Sequence, residues 1–233
     1  MKVEIWSDVV CPWCYVGKRR FEAALRRFDH RDQVEVHWRS FELDPSAPPR
    51  RERDYPAHLA AKYGISLAEA QAMIDRMTET AAAAGLDFRF DVAKPGNTFD
   101  AHRLTHLAAD RGVADAVVER LFSATFCEGE AIGDRDVLVR LAAQMGLDSG
   151  EAAETLASGG YASEVRADEQ EAAALGIHAV PFFVVDRTYG VSGAQSPEVL
   201  LGVLERAWAE GRRPLLVTGA GEAPGCDDDS CEV

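Results

Sequence analysis

Val3-Glu4-Ile5-Trp6-Ser7-Asp8-Val9-Val10-Cys11-Pro12-Trp13-Cys14 runs a short apolar strand into a helix, and this junction decides the fold. Val3 to Asp8 alternates apolar and polar residues in the manner of a half-buried strand. Phe21, Ala24, Leu25 and Phe28 then recur at helical spacing. Two cysteines at i and i+3 on a first helical turn share a face and lie close enough to close a small disulfide. Cys11 falls at the helix N-terminus, where unpaired N–H groups and the positive end of the dipole favour a thiolate. Pro12 fits because a first-turn residue needs no N–H partner. The spacing predicts a redox-active pair with an accessible outer thiol, Cys11. A metal site is disfavoured, since no second CxxC or suitably placed histidine pair accompanies it.

The remaining composition is compatible with this chemistry. The chain has 233 residues, 47% of them hydrophobic and 27% charged, enough for one large domain or one domain with an insertion. Its formal charge of −14 disfavours nucleic acid and anionic membrane surfaces as partners. No stretch approaches the roughly 20 apolar residues of a membrane span, and Met1-Lys2 leads directly into the first strand with no apolar leader. The expected compartment is therefore cytoplasmic, where lasting structural disulfides are rare. Five cysteines then read as catalytic, sensing or incidental. Cys127, in an apolar helical pattern, reads as a buried inert thiol.

A second strand is expected over 34–43, making a right-handed βαβ unit with the first strand and helix. From residue 47 to 175 the periodicity is helical and alanine-rich. Ser66-Leu67-Ala68-Glu69 has the form of a capping box for a helix over 66–84. Further helices are expected near 98–111, 114–128, 134–145, 149–157 and 161–175, with 48–53 as a linker or lid loop. Strand character returns in Ala179-Val180-Pro181-Phe182-Phe183-Val184-Val185, followed by a turn at Asp186-Arg187 and a paired strand over 189–194. Ser196-Pro197-Glu198 starts a last helix to about residue 210.

A strand–CxxC–helix unit followed much later by a Val-Pro strand resembles a thioredoxin fold, and the intervening helices make it similar to the DsbA-like family. Ser7 to Gly17 resembles the opening of the FrnE-like branch of disulfide oxidoreductases, and Asn97-Thr98-Phe99-Asp100-Ala101-His102 resembles its asparagine–histidine helix. Residues 121–126 and 176–183 resemble its later blocks. The expected class is α/β, a thioredoxin fold with a large all-helical insertion. Residues 1–45 and 160–210 would form a discontinuous thioredoxin-like domain, 46–159 the helical insertion, and 211–233 a flexible acidic tail.

The resemblance implies a cis Val180-Pro181 bond lying against the CxxC sulfurs, with Val180 presenting its backbone to an extended substrate. It implies thiol–disulfide exchange on protein thiols or extended peptides, with Cys11 as nucleophile and Cys14 as resolving thiol. The motif dipeptide Pro12-Trp13 lacks the positive charge of the Pro-His form in strongly oxidising relatives, so a more reducing pair is expected. No metal or cofactor is implied beyond the redox-active disulfide, with glutathione as an available co-substrate. Asn97 and His102 are candidate cleft residues. His102 and His106 are spaced for a metal but lack an evident third ligand, and Phe88, Phe90, Phe99, Phe122 and Phe126 fit either a peptide cleft or a core.

Cys226 and Cys231 flank Asp227-Asp228-Asp229-Ser230 in a glycine-rich tail. About 16 flexible residues span roughly 20–24 Å, enough to bring an auxiliary CX4C redox pair to the CPWC site; incidental cysteines and a metal site are the alternatives. The competing function is glutathione-dependent isomerisation of a small aromatic or polyketide substrate, as in hydroxychromene-carboxylate isomerases. Those relatives generally carry serine where this chain has Cys11. A third reading is a non-enzymatic redox sensor or holdase.

Overall fold

The computed structural model describes residues 1–50, 54–211, 216–218 and 226–227. The first strand, β1 (Lys2–Ser7), leads into α1 (Pro12–Arg27) and then β2 (Glu35–Ser40), which pairs parallel with β1 as a βαβ unit. Helices α2 (Tyr55–Tyr63), α3 (Leu67–Ala83), α4 (Phe99–Asp110), α5 (Ala114–Phe126), α6 (Arg135–Gln144), α7 (Ser149–Ala157) and α8 (Ala162–Leu175) follow. Then come β3 (Ala179–Val180), β4 (Phe182–Val185), β5 (Tyr189–Ser192) and α9 (Pro197–Glu210). The sheet order is β2-β1-β4-β5, with β4 antiparallel to both neighbours and β6 (Leu216–Thr218) parallel to the β5 edge. This is a mixed α/β thioredoxin-type sheet interrupted by helices.

Local chemistry accounts for the boundaries. Ser66 and Glu69 form the reciprocal capping box at the start of α3. Asp186 and Arg187 both adopt positive φ, the geometry of a two-residue hairpin whose twist matches the strands it joins. Helix α2 is absent from the sequence reading: it has only nine residues, and its buried face consists of Tyr55 and Leu59, too few for a visible period. Asp54 caps it by accepting the Ala57 N–H.

One face of the sheet packs on α1 and α9 through Phe21, Phe28, Phe183, Leu200 and Leu204. A separate core, including Leu104, Leu121, Leu138 and Leu156, holds α4–α7 together. Between them lies an aromatic stack in which Tyr15 of α1 faces Phe122 at 4.9 Å and Phe88 faces Phe126 at 4.9 Å. Phe88, Phe90, Phe122 and Phe126 are all buried there, so they are core and not cleft. Phe99 is half-buried, with the guanidinium of Arg166 4.4 Å from its ring centre.

The tail contributes more regular backbone than its composition implies. Besides β6, Cys226–Asp227 forms a short strand, β7, antiparallel to β3, with Cys226 opposite Val180 and Asp227 opposite Ala179. Cys231 lies outside the described residues.

Candidate active site

The CPWC segment sits where α1 leaves the carboxyl end of β1. Cys11 is the N-cap residue of α1 in extended conformation, with Pro12 on the first turn. The Cys11 N–H donates to the Asp8 carbonyl at 3.0 Å, and the Cys14 N–H to the Cys11 carbonyl at 3.1 Å. The two cysteines are not joined by a disulfide. The Cys11 thiol donates to the Val180 carbonyl at 3.6 Å, and the Val180–Pro181 peptide bond is cis. The three pieces expected to meet, CPWC, Val180 and Pro181, are thus brought together from opposite ends of the chain.

Gly17 makes this approach feasible. A Cβ at this position would stand 2.8 Å from Pro181 Cγ, inside ordinary contact distance. Only a residue without a side chain lets α1 rest on the proline ring. On the other side, Pro181 is fixed by its carbonyl, which accepts the Gly193 N–H at 2.8 Å.

The electrostatics differ from the sequence expectation. Cys11 is fully buried, 0% exposed, in place of the accessible thiol expected from its position on the helix. Burial pushes its pKa well up, and the Cys14 thiol and the Asp8 carboxylate push in the same direction. The Cys14 backbone N–H pulls the other way and does not overcome the loss of hydration. Cys127 is half-buried, and its thiol is also raised, chiefly by burial.

Asp8 is the residue the sequence reading passed over. It is fully buried: Oδ2 accepts the Leu43 N–H at 2.8 Å and Oδ1 the Val10 N–H at 3.4 Å. Its carboxylate therefore pins the loop before Cys11 to the loop after β2. An acidic residue immediately before the apolar Val9-Val10 step into Cys11 was the available signal. His102, also buried, places Nε2 3.6 Å from Asp8 Oδ1. Burial lowers the His102 pKa, but Asp8, with Glu42 and Glu169, outweighs it and the net shift is upward.

Beside this network lies a cavity of about 830 Å³ between the thioredoxin-type body and the helices, with Asp8, Pro12, Glu42, Leu59, Glu169 and His178 among its walls. Asn97 and His102 are not among its lining residues. Asn97 instead staples a loop, donating to the Pro45 carbonyl at 3.3 Å and accepting the Phe99 N–H at 3.0 Å. His106 does not join His102 in a metal pair; its Nε2 meets Ser40 Oγ and Asp168 Oδ2, each at 3.1 Å. Among the described residues no cluster of three or more His, Cys, Asp or Glu side chains is arranged to hold a metal. No helix among them is long and apolar enough to cross a membrane.

Comparison with known proteins agrees with this architecture. The model of the DSBA-like thioredoxin domain matches residues 2–205. A probable DsbA oxidoreductase of Streptomyces coelicolor, SCO1869, is 49% identical, covers 100% of this chain and 99% of its own, and superposes with a TM-score of 0.87. YwbO of Bacillus subtilis is 31% identical over 199 residues, 84% of this chain and 92% of YwbO. A 2-hydroxychromene-2-carboxylate isomerase shares the fold at a TM-score of 0.64, with 15% identity over 90% of this chain and 95% of its own.

Proposed function

Because this chain belongs to the DSBA-like thioredoxin domain family, we propose that it is a thiol–disulfide oxidoreductase acting on protein cysteines through Cys11 and Cys14. The observation that carries this reading is the Cys11 thiol 3.6 Å from the Val180 carbonyl, beside the cis bond to Pro181. A substrate strand pairing with the edge at Val180 would bring its sulfur to Cys11.

As a reductase, Cys11 loses its proton and attacks a substrate disulfide. A mixed disulfide forms, and one substrate thiolate leaves and takes up a proton. Cys14, deprotonated in turn, attacks Cys11; the second substrate thiol departs and the protein holds the Cys11–Cys14 disulfide. Two electrons pass from the protein dithiol to the substrate. In an isomerase cycle the mixed disulfide is resolved by another substrate thiol, and the protein dithiol is regenerated.

The raised Cys11 pKa supports the reducing direction. A buried Cys11 that resists ionisation lacks the thiolate stabilisation that holds strongly oxidising pairs in the reduced form, so the disulfide is relatively favoured and the dithiol gives up its electrons more readily. The uncharged Pro12-Trp13 pair agrees in sign. Glutathione enters as a co-substrate that returns electrons to the Cys11–Cys14 disulfide, and the protein works in the cytoplasm on extended polypeptides.

Cys226, with Cys231, is proposed as an auxiliary couple. Its backbone stands opposite Val180 in the β3–β7 pairing, next to the carbonyl that accepts the Cys11 thiol. Tethering a second thiol pair within reach raises its local concentration to the mM range.

The test is insulin reduction with dithiothreitol as the electron donor and no glutathione, compared with Cys11→Ser. Turnover abolished in the variant supports the proposal. Activity that survives Cys11→Ser but requires glutathione would favour the isomerase reading instead.

A further inference from the structure

We propose that His102 is a positioning residue for thiol exchange: its protonated ring cancels the Asp8 charge beside Cys11 and so governs how readily Cys11 becomes a thiolate. This rests on Cys11 as the nucleophile and adds what controls it. Its first support is an unpaired atom. The His102 side chain is only 5% exposed, and its Nε2 has no hydrogen-bond partner among the described residues. Nε2 instead faces Asp8 Oδ1 at 3.6 Å, too long for a hydrogen bond and within the range of an ion pair. A neutral ring gains little across that gap. A protonated ring meets a full opposite charge in a setting that screens it weakly.

The second support is the balance of charge around the ring. Asp8 acts on it from the β1–α1 junction, Glu42 from the loop after β2 and Glu169 from α8. Arg166 of α8 bonds both Glu42 and Glu169. Asp8 has no such arginine among the described residues; it accepts the Leu43 and Val10 N–H groups, and its one charged neighbour is His102. A buried carboxylate without a cation beside it is costly. The proton on His102 is therefore what balances Asp8.

Asp8 in turn acts on the thiol. The Cys11 N–H donates to the Asp8 carbonyl at 3.0 Å, closing a turn in which both residues are 0% exposed. The Asp8 charge opposes ionisation of Cys11, as the Cys14 thiol does. With His102 protonated, Cys11 feels a nearly cancelled pair; with His102 neutral, it feels a bare carboxylate. When Cys11 ionises its proton goes to solvent, and His102 keeps its own. The two groups titrate as a coupled system, in which rising pH removes the very charge that helped Cys11 to ionise.

The experiment follows alkylation of Cys11 by iodoacetamide in the full-length dithiol protein, mapped by mass spectrometry from about pH 5 to about pH 10. The wild-type rate should flatten across the His102 titration before rising again. His102→Gln should react about three- to tenfold more slowly on the acid side of that titration and equally fast on the alkaline side. Asp8→Asn should do the reverse, matching the wild type on the acid side and exceeding it on the alkaline side. It carries the test by itself should His102→Gln fail to fold. The double variant should follow Asp8→Asn, because His102 without Asp8 loses the charge that keeps it protonated. Rates unchanged, or changed by one constant factor at every pH, would overturn the inference while leaving the chemistry of Cys11 intact. A Cys11 that reacts at no pH would instead refute the nucleophile reading, and the inference with it.

Discussion

Replacing Gly17 by alanine should disable the site while scarcely touching the fold. The new methyl would stand 2.8 Å from Pro181 Cγ and 3.4 Å from Pro181 Cβ. Pro181 has little room to retreat, being held through its carbonyl to Gly193 and flanked by the Val180 contact with Cys11. α1 and the proline loop must therefore part by roughly half an ångström or more, at an overpacking cost of about 1–3 kcal/mol. Alanine returns up to ~1 kcal/mol in helix propensity, leaving a net loss of about 0–2 kcal/mol and a Tm lower by at most about 8 °C. Cys14 sits one turn before Gly17, so the separation opens the distance between the sulfurs and Val180. Misplacement on this scale should lower kcat/KM for insulin reduction by about ten- to a hundredfold. Gly202→Ala in α9 is the control, since a Cβ there meets nothing within 4 Å; it should stabilise by up to ~1 kcal/mol and leave turnover unchanged. Full activity in Gly17→Ala together with a raised Tm would refute the close-packing account.

Asp8→Asn removes a negative charge that raises the Cys11 pKa; the pH profile of Cys11 alkylation should move to lower pH, and an unmoved profile would count against the electrostatic role of Asp8. Glu4, buried between Arg39 and Arg187, has its pKa lowered to about 2 because the two arginines outweigh burial. Its stabilisation is present above its ordinary value near 4.5 and is lost as pH falls towards 2, amounting to about 3 kcal/mol; Glu4→Gln should flatten acid unfolding over that window. His102 runs the other way. Its pKa is raised, so its contribution is complete below about 6.5 and is lost as pH rises through the elevated value; His102→Gln should remove that slope from the stability–pH curve. A redox titration of Cys11–Cys14 should give a potential well below the roughly −120 mV of a strong oxidant. Cys226→Ser/Cys231→Ser should change turnover or the trapped mixed disulfides, and an unchanged protein would exclude the tail couple.

The frame was legible because its signals are local. Strand alternation over 3–8, the cysteines at i and i+3, the capping box at Ser66 and Glu69, and the turn at Asp186-Arg187 each report backbone geometry within a few residues. The βαβ unit and most helix boundaries follow from them. The ionisation of Cys11 was not legible, because it depends on what covers the helix end, and burial there depends on segments distant in sequence. Asn97 and His102 illustrate the same limit. Both lie close to the site, but one is consumed by a loop staple and the other by a buried pairing with Asp8. The cavity is assembled from the β1–α1 junction, the loop after β2, α2, the loop before α4, α8 and the segment leading into β3. No single stretch of sequence carries its acidic wall. The pairing of β7 with β3 was hidden by a composition, glycine-rich and acidic, that disfavours strands.

The most direct measurement is mass-spectrometric mapping of the mixed disulfide trapped by Cys14→Ser on a reduced and then disulfide-challenged full-length protein. The resolving thiol is gone, so an intermediate on the nucleophile should accumulate. The account predicts substrate linked to Cys11, with an extended segment of that substrate protected along the β3 edge. Adducts on Cys127, or none on Cys11 while disulfide reduction continues, would contradict it.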